Sequence, residues 1–154
     1  MTRTSLETHH CSVARTVDII GDRWALMILR DAFYGVRAFS AFQASLGVAK
    51  TVLSDRLRRL TQAGILEKVR AREGVERFEY RLTASGRELF PVVVALMQWG
   101  DRWVFGAGHE PAQILDRETG SPVQPLAVQA RSGKVLTARD VMLGRGPGVT
   151  TDMR

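Results

Sequence analysis

Apolar residues recur at Val13, Val17 and Ile20 and the pattern stops at Gly21, which predicts a short helix over residues 13–20. After Asp22, a residue suited to an N-cap, the run WALMILRDAFY is apolar on nearly every side. That predicts a helix over 23–34, buried by several neighbours rather than lying on the surface. Gly35 breaks it. Phe42 and Leu46, four apart, follow Ser40 and stop at Gly47, the mark of a third, very short helix. The segment VAKTVLSDRLRRLTQAG then carries Leu53, Leu57 and Leu60 at i, i+4 and i+7, with Gly64 placed as a left-handed cap. It predicts a fourth helix over 50–63. Two short helices joined by a turn of about three or four residues that contains glycine form a helix-turn-helix unit.

The period then shortens. Residues 69–72 and 77–82 flank Glu-Gly-Val-Glu, and Phe78, Tyr80 and Leu82 alternate with Arg77, Glu79 and Arg81, as a half-buried strand requires. This predicts a β-hairpin wing. Thr83 can cap the next helix, whose apolar pattern runs through Phe90, Val93, Val94, Met97 and Trp103. Pro91, inside that pattern, is expected to kink the helix or force an early start. From Gly106 onward, glycine and proline interrupt the chain repeatedly, favouring short strands or loops. The expected fold is mainly α with a small β-hairpin (α+β): a winged helix-turn-helix domain over 1–106, then a Gly/Pro-rich, β-rich extension over 107–154 with a flexible tail.

Composition narrows the function. The chain has 154 residues, 45% of them hydrophobic and 25% charged, enough for one globular core and too apolar for wholesale disorder. The formal charge is +6, and its placement matters more than its size. Residues 49–81 hold nine basic against five acidic residues, so most of the surplus is focused on one stretch, as docking to a polyanion requires. No long apolar run follows the N-terminal basic residue or occurs elsewhere, which argues against secretion and membrane insertion and for the cytoplasm. The single cysteine excludes an internal disulfide and a multi-cysteine metal site.

With Leu53 at zero on a helical wheel of about 100° per residue, Leu57 and Leu60 fall within about 40° of it. Thr51, Ser54, Asp55, Arg58 and Gln62 fall on the far side. One face packs and the other can read. Thr51, Ser54 and Arg58 offer hydrogen-bonding groups to base edges, and arginine can pair two donors with guanine O6 and N7 in a major groove. Arg56 lies at the edge of the apolar stripe and is assigned to the fold. Lys50, at the helix start, is placed for a phosphate. Arg59, Arg70, Arg72 and Arg77 complete the DNA-contacting set, those of the wing supplying affinity and salt dependence more than sequence information. A solvated amphipathic face or ordinary charged edge strands would carry the same residue types.

Cys11-Ser12-Val13-Ala14, Ile-Ile-Gly-Asp-Arg-Trp from Ile19, Phe-Ser-Ala-Phe-Gln from Phe39, Val-Leu-Ser-Asp-Arg-Leu-Arg-Arg-Leu from Val52, Ala-Gly-Ile-Leu, Glu-Tyr-Arg-Leu-Thr from Glu79 and the Trp99…Trp103 pair together resemble an HxlR-type transcriptional regulator over about residues 11–105. The resemblance implies a homodimer built on the N-terminal helix and the long helix after the wing, presenting two reading helices to a pseudo-palindromic operator in double-stranded DNA. It also implies that Cys11, flanked by His9, His10 and Arg15, is either an oxidant- or electrophile-sensing thiolate or a small apolar plug at the dimer interface. Two departures stand out. Ala49 replaces the usual hydroxyl cap of the reading helix, and Gly74 replaces the usual wing proline, which implies a freer wing tip. The extension resembles a β-rich segment in which certain relatives carry paired cysteines; Gln129 and Ser132 stand in comparable places here, so no metal is expected.

The expected function is therefore sequence-specific, cofactor-independent transcriptional regulation, responsive to an unidentified small molecule or oxidant. Catalysis is not expected, because the His9-His10-Cys11 cluster has no third partner. The alternative is a winged-helix protein-interaction module in which the basic patch is incidental.

Overall fold

The computed structural model describes residues 6, 8–72 and 76–148. The chain divides into two compact units, Met1–Gly100 and Asp101–Arg154. In the first, α1 (Ser12–Ile20) is followed by α2 (Arg23–Phe33), whose N-cap Asp22 accepts hydrogen bonds from the Trp24 and Ala25 amides. Its Ala25, Ile28 and Leu29 are buried, in keeping with a helix surrounded by neighbours. Asp31 is buried too, with Oδ1 accepting from both Nε and Nη2 of Arg30.

The helix-turn-helix consists of α3 (Phe39–Leu46) and α4 (Lys50–Gln62). Gly47 supplies the left-handed turn between them with φ 61°, a conformation glycine adopts at no steric cost. Phe42, Leu53, Leu57 and Leu60 close the core against α2. The predicted cap at the end of α4 takes a fuller form. With Gly64 at φ 71°, the Gly64 amide donates to the Thr61 carbonyl and the Ile65 amide to the Leu60 carbonyl, the paired bonds of a Schellman motif. Ala49 makes no side-chain cap at the other end.

The wing differs from the expectation at its first strand. β1 spans Leu66–Arg70 and pairs antiparallel with β2 (Phe78–Leu82), Leu66 opposite Leu82 and Arg70 opposite Phe78. The strand starts earlier because Leu66 is buried in the core directly after the Schellman turn, leaving no room for a connecting loop. The turn at 73–75, including Gly74, lies outside the described residues. Phe78 is also more open than its alternation implied. It is 42% exposed and is covered instead by the Lys68 ammonium, 4.6 Å from its ring centroid. A bridge between Ala38 and Glu79, with the Tyr80 amide donating to the Arg37 carbonyl at 2.8 Å, ties the hairpin to the start of α3.

Thr83 caps α5 (Ala84–Arg87) through the Gly86 amide. The long helix expected after it is split, since α6 (Phe90–Gly100) starts afresh. Pro91 is its second residue, where the missing N–H removes no intrahelical bond. Phe90 meets Phe33 edge to face at a centroid distance of 5.2 Å.

In the second unit, Asp101–Phe105 forms a π-helical turn. β3 (Val128–Gln129) and β4 (Val135–Leu136) pair antiparallel, and Leu115 bridges to Pro122. Asp116 and Asp140 fold two turns by accepting backbone N–H bonds from Glu118, Thr119 and Thr137. No described residue of this unit is buried. The architecture is mainly helical with small antiparallel hairpins, a winged helix-turn-helix.

Candidate nucleic-acid interface

The core leucines orient α4. With Leu53, Leu57 and Leu60 fully buried, the opposite face must be exposed, and Lys50, Thr51, Ser54 and Arg58 are exposed. The structure brings these four together with Phe39 and Asp55 around one shallow, open depression. Arg58 lies along the helix axis, Nη2 donating to Asp55 Oδ1 at 2.6 Å and Nη1 to Gln62 Oε1 at 2.9 Å.

Arg59 is not part of that group. Its Nε pairs with Asp55 Oδ2 at 2.9 Å, and the side chain lines a cavity of about 440 Å³ between α1 and α4, with Asp18, Ile19, Asp22, Arg56 and Leu60. Arg70, Arg72 and Arg77 are exposed on the wing, and the Ala71 amide donates to the Arg77 carbonyl at 2.8 Å, which carries the hairpin one step beyond its strands. Cys11 is exposed at the residue preceding α1.

Arg56 belongs to the fold, as the wheel placed it. Its Nε and Nη2 donate to Asp22 Oδ1 at 2.7 Å and Oδ2 at 3.3 Å, and Nη1 to Asp55. Burial alone would raise the Asp22 pKa, but the hydrogen bond and charge of Arg56 and the two cap amides outweigh it and hold the carboxyl below the usual range. Asp22 thus links the start of α2 to the middle of the helix that carries the exposed face. Residue-by-residue reading assigned no role to Asp55, although its spacing to Arg58 and Arg59, i+3 and i+4, is the acid–base pattern that forms pairs on a helix.

Outside the basic face, Pro91, Val92, Ala95, Leu96 and Trp99 of α6 line an almost wholly apolar depression. Leu96 is 52% and Trp99 61% exposed, and Val13 on α1 is 71% exposed. Among the described residues no helix is long and apolar enough to cross a membrane.

Residues 19–106 match the HxlR-like helix-turn-helix family model. The chain is 40% identical over 137 residues to an uncharacterized HTH-type transcriptional regulator of Mycobacterium tuberculosis, covering 89% of this chain and 87% of that one. The crystal structure of PA1607, named as a candidate transcription factor, superposes with a TM-score of 0.87 at 43% identity, covering 93% of this chain and 100% of its own. The redox regulator HypR in its reduced form is similar over 58% of this chain and 90% of its own, with a TM-score of 0.54 at 28% identity. A helix-turn-helix with an exposed polar face on its second helix, a wing rich in arginine and a family match over more than half its length identify the chain as a transcriptional regulator of the HxlR-like helix-turn-helix family.

Proposed function

We propose that the chain acts as a homodimer that reads a pseudo-palindromic operator, with Thr51, Ser54 and Arg58 contacting base edges, Lys50 a phosphate, and Arg59, Arg70, Arg72 and Arg77 the flanking backbone. The observation that carries this reading is the convergence of Lys50, Thr51, Ser54 and Arg58 on one open depression of α4, because a base-reading surface must be exposed, polar and presented by a rigid element. The apolar face of α6 supports the homodimer, since so much exposed hydrophobic surface on a small domain asks for a partner. In this reading residues 1–106 bind DNA and dimerise, and 107–154 are an accessory extension. The likeness to HypR, together with the exposed Cys11, supports an oxidant response; the cavity between α1 and α4 offers a small-molecule effector a place.

Fluorescence anisotropy on a duplex enriched by the protein from a random pool, and on a shuffled duplex, tests the reading. Arg58→Ala is expected to weaken binding to the enriched duplex by about ten- to hundredfold and the shuffled one far less. Arg72→Ala is expected to weaken both by similar factors and to flatten the salt dependence. Failure to enrich any sequence, with weak and salt-insensitive binding, would instead mark a protein-interaction module.

A further inference from the structure

We propose that Asp55 is a positioning residue that sets sequence discrimination, holding the Arg58 guanidinium where a base edge meets it while lowering the sequence-independent attraction of the same face. The proposal rests on the reading of α4 as the base-contacting helix.

One carboxylate serves three arginines. Asp55 Oδ1 accepts from Arg58 Nη2 at 2.6 Å, Oδ2 accepts from Arg56 Nη1, and Oδ2 forms an ion pair with Arg59 Nε at 2.9 Å. Arg56 is in turn fixed to Asp22, so Asp55 is anchored through it to the core of the domain. Arg58 is held from both directions along the helix, by Asp55 one turn before it and Gln62 one turn after. A guanidinium has five N–H donors; with two engaged, three are left for a base. Arginine bound this way gives up its rotamer freedom before DNA arrives. Immobilising one such side chain is worth roughly two- to twelvefold in affinity.

Charge acts on the overall attraction of the face. Lys50, Arg56, Arg58 and Arg59 share α4 with a single acid, Asp55. Hydrogen bonding from Arg58 holds that carboxyl below the usual range, so it is ionised at neutral pH. Its negative charge offsets one of the arginines toward any phosphate backbone, whatever the sequence. Positioning of Arg58 widens the ratio of specific to nonspecific binding, whereas the charge lowers both affinities alike and shows in the salt dependence. The exposed pairs with Arg58 and Arg59, at i+3 and i+4, contribute little to stability.

The test is a double-mutant cycle of Asp55→Asn and Arg58→Ala in the full chain, titrated against the enriched and shuffled duplexes at several salt concentrations. Asp55→Asn is expected to lower the specific-to-nonspecific ratio about fivefold and to steepen the salt slope on the shuffled duplex by up to about one phosphate contact. In the Arg58→Ala background the same change is expected to leave the ratio unaltered, because there is no guanidinium to position. An equal fall in both backgrounds, or an unchanged ratio in the wild-type background, overturns the proposal. A wild-type protein that does not distinguish the two duplexes overturns the underlying DNA reading, a separate outcome. Thermal unfolding of each variant confirms that the cycle compares folded proteins.

Discussion

Replacing Asp22 separates two jobs held by one carboxylate. Asp22→Ala removes the cap of α2, where Oδ1 accepts from the Trp24 and Ala25 amides, and also the two hydrogen bonds from Arg56. Cap loss costs about 1 kcal/mol. The charge-assisted pair adds about 1–2 kcal/mol, toward the low end because both side chains keep about a quarter of their surface in water and Arg56 retains Asp55. Asp22→Ala is therefore expected to destabilise the domain by about 2–3 kcal/mol. Asn caps as well as Asp, so Asp22→Asn should cost about 1 kcal/mol. Acid discriminates further. The folded carboxyl titrates below its unfolded value, so its contribution is full above the unfolded pKa of about 3.9 and is lost as pH falls through the folded pKa. Urea unfolding between pH 7 and about 3 should thus show a gap between wild type and Asp22→Asn that is constant at neutral pH and narrows as the pH falls below about 4. Equal losses from the two substitutions, or a gap that stays constant into acid, would refute the division of labour.

Three further expectations follow from single contacts. A Cβ built on Gly86 would lie 2.1 Å from the Ile65 carbonyl oxygen; because the obstacle is backbone, Gly86→Ala should cost about 3 kcal/mol or more in urea unfolding, and a cost under about 1 kcal/mol would show that the α4 exit and α5 are not locked together. Leu96→Glu, on the exposed apolar face of α6, should shift sedimentation from dimer to monomer while leaving circular dichroism unchanged; a dimer that persists would place the interface elsewhere. Cys11→Ser should keep DNA binding and lose release by a mild thiol oxidant, and release that continues unaltered would end the redox role of this thiol.

What was legible in the chain was whatever a single element writes into its own periodicity. The leucines of α4 announced both the helix and its exposed face, and Asp22 and Thr83 announced helix starts, because a cap needs only the amides of its own first turn. Partners distant in sequence were not legible. The early start of β1 follows from Leu66 entering the core beside α4, while its apolar positions, Leu66 and Val69, stand three apart and conceal a period of two. The bridge from Ala38 to Glu79 joins segments that neither composition nor period connects. Nothing in the sequence singles out Gly86, yet Thr83 and Ser85 both donate hydroxyl hydrogen bonds to the Gly64 carbonyl, drawing α5 so close that no side chain fits at 86. At the candidate site the wheel placed Thr51, Ser54 and Arg58 on one face but treated Asp55 as one more polar member of it. A wheel records direction and no hydrogen bonds. Side-chain geometry turns that acid into the shared ion-pair partner of three arginines, and so changes the reading of α4 from a basic helix to one whose arginines are held in place before it meets a duplex.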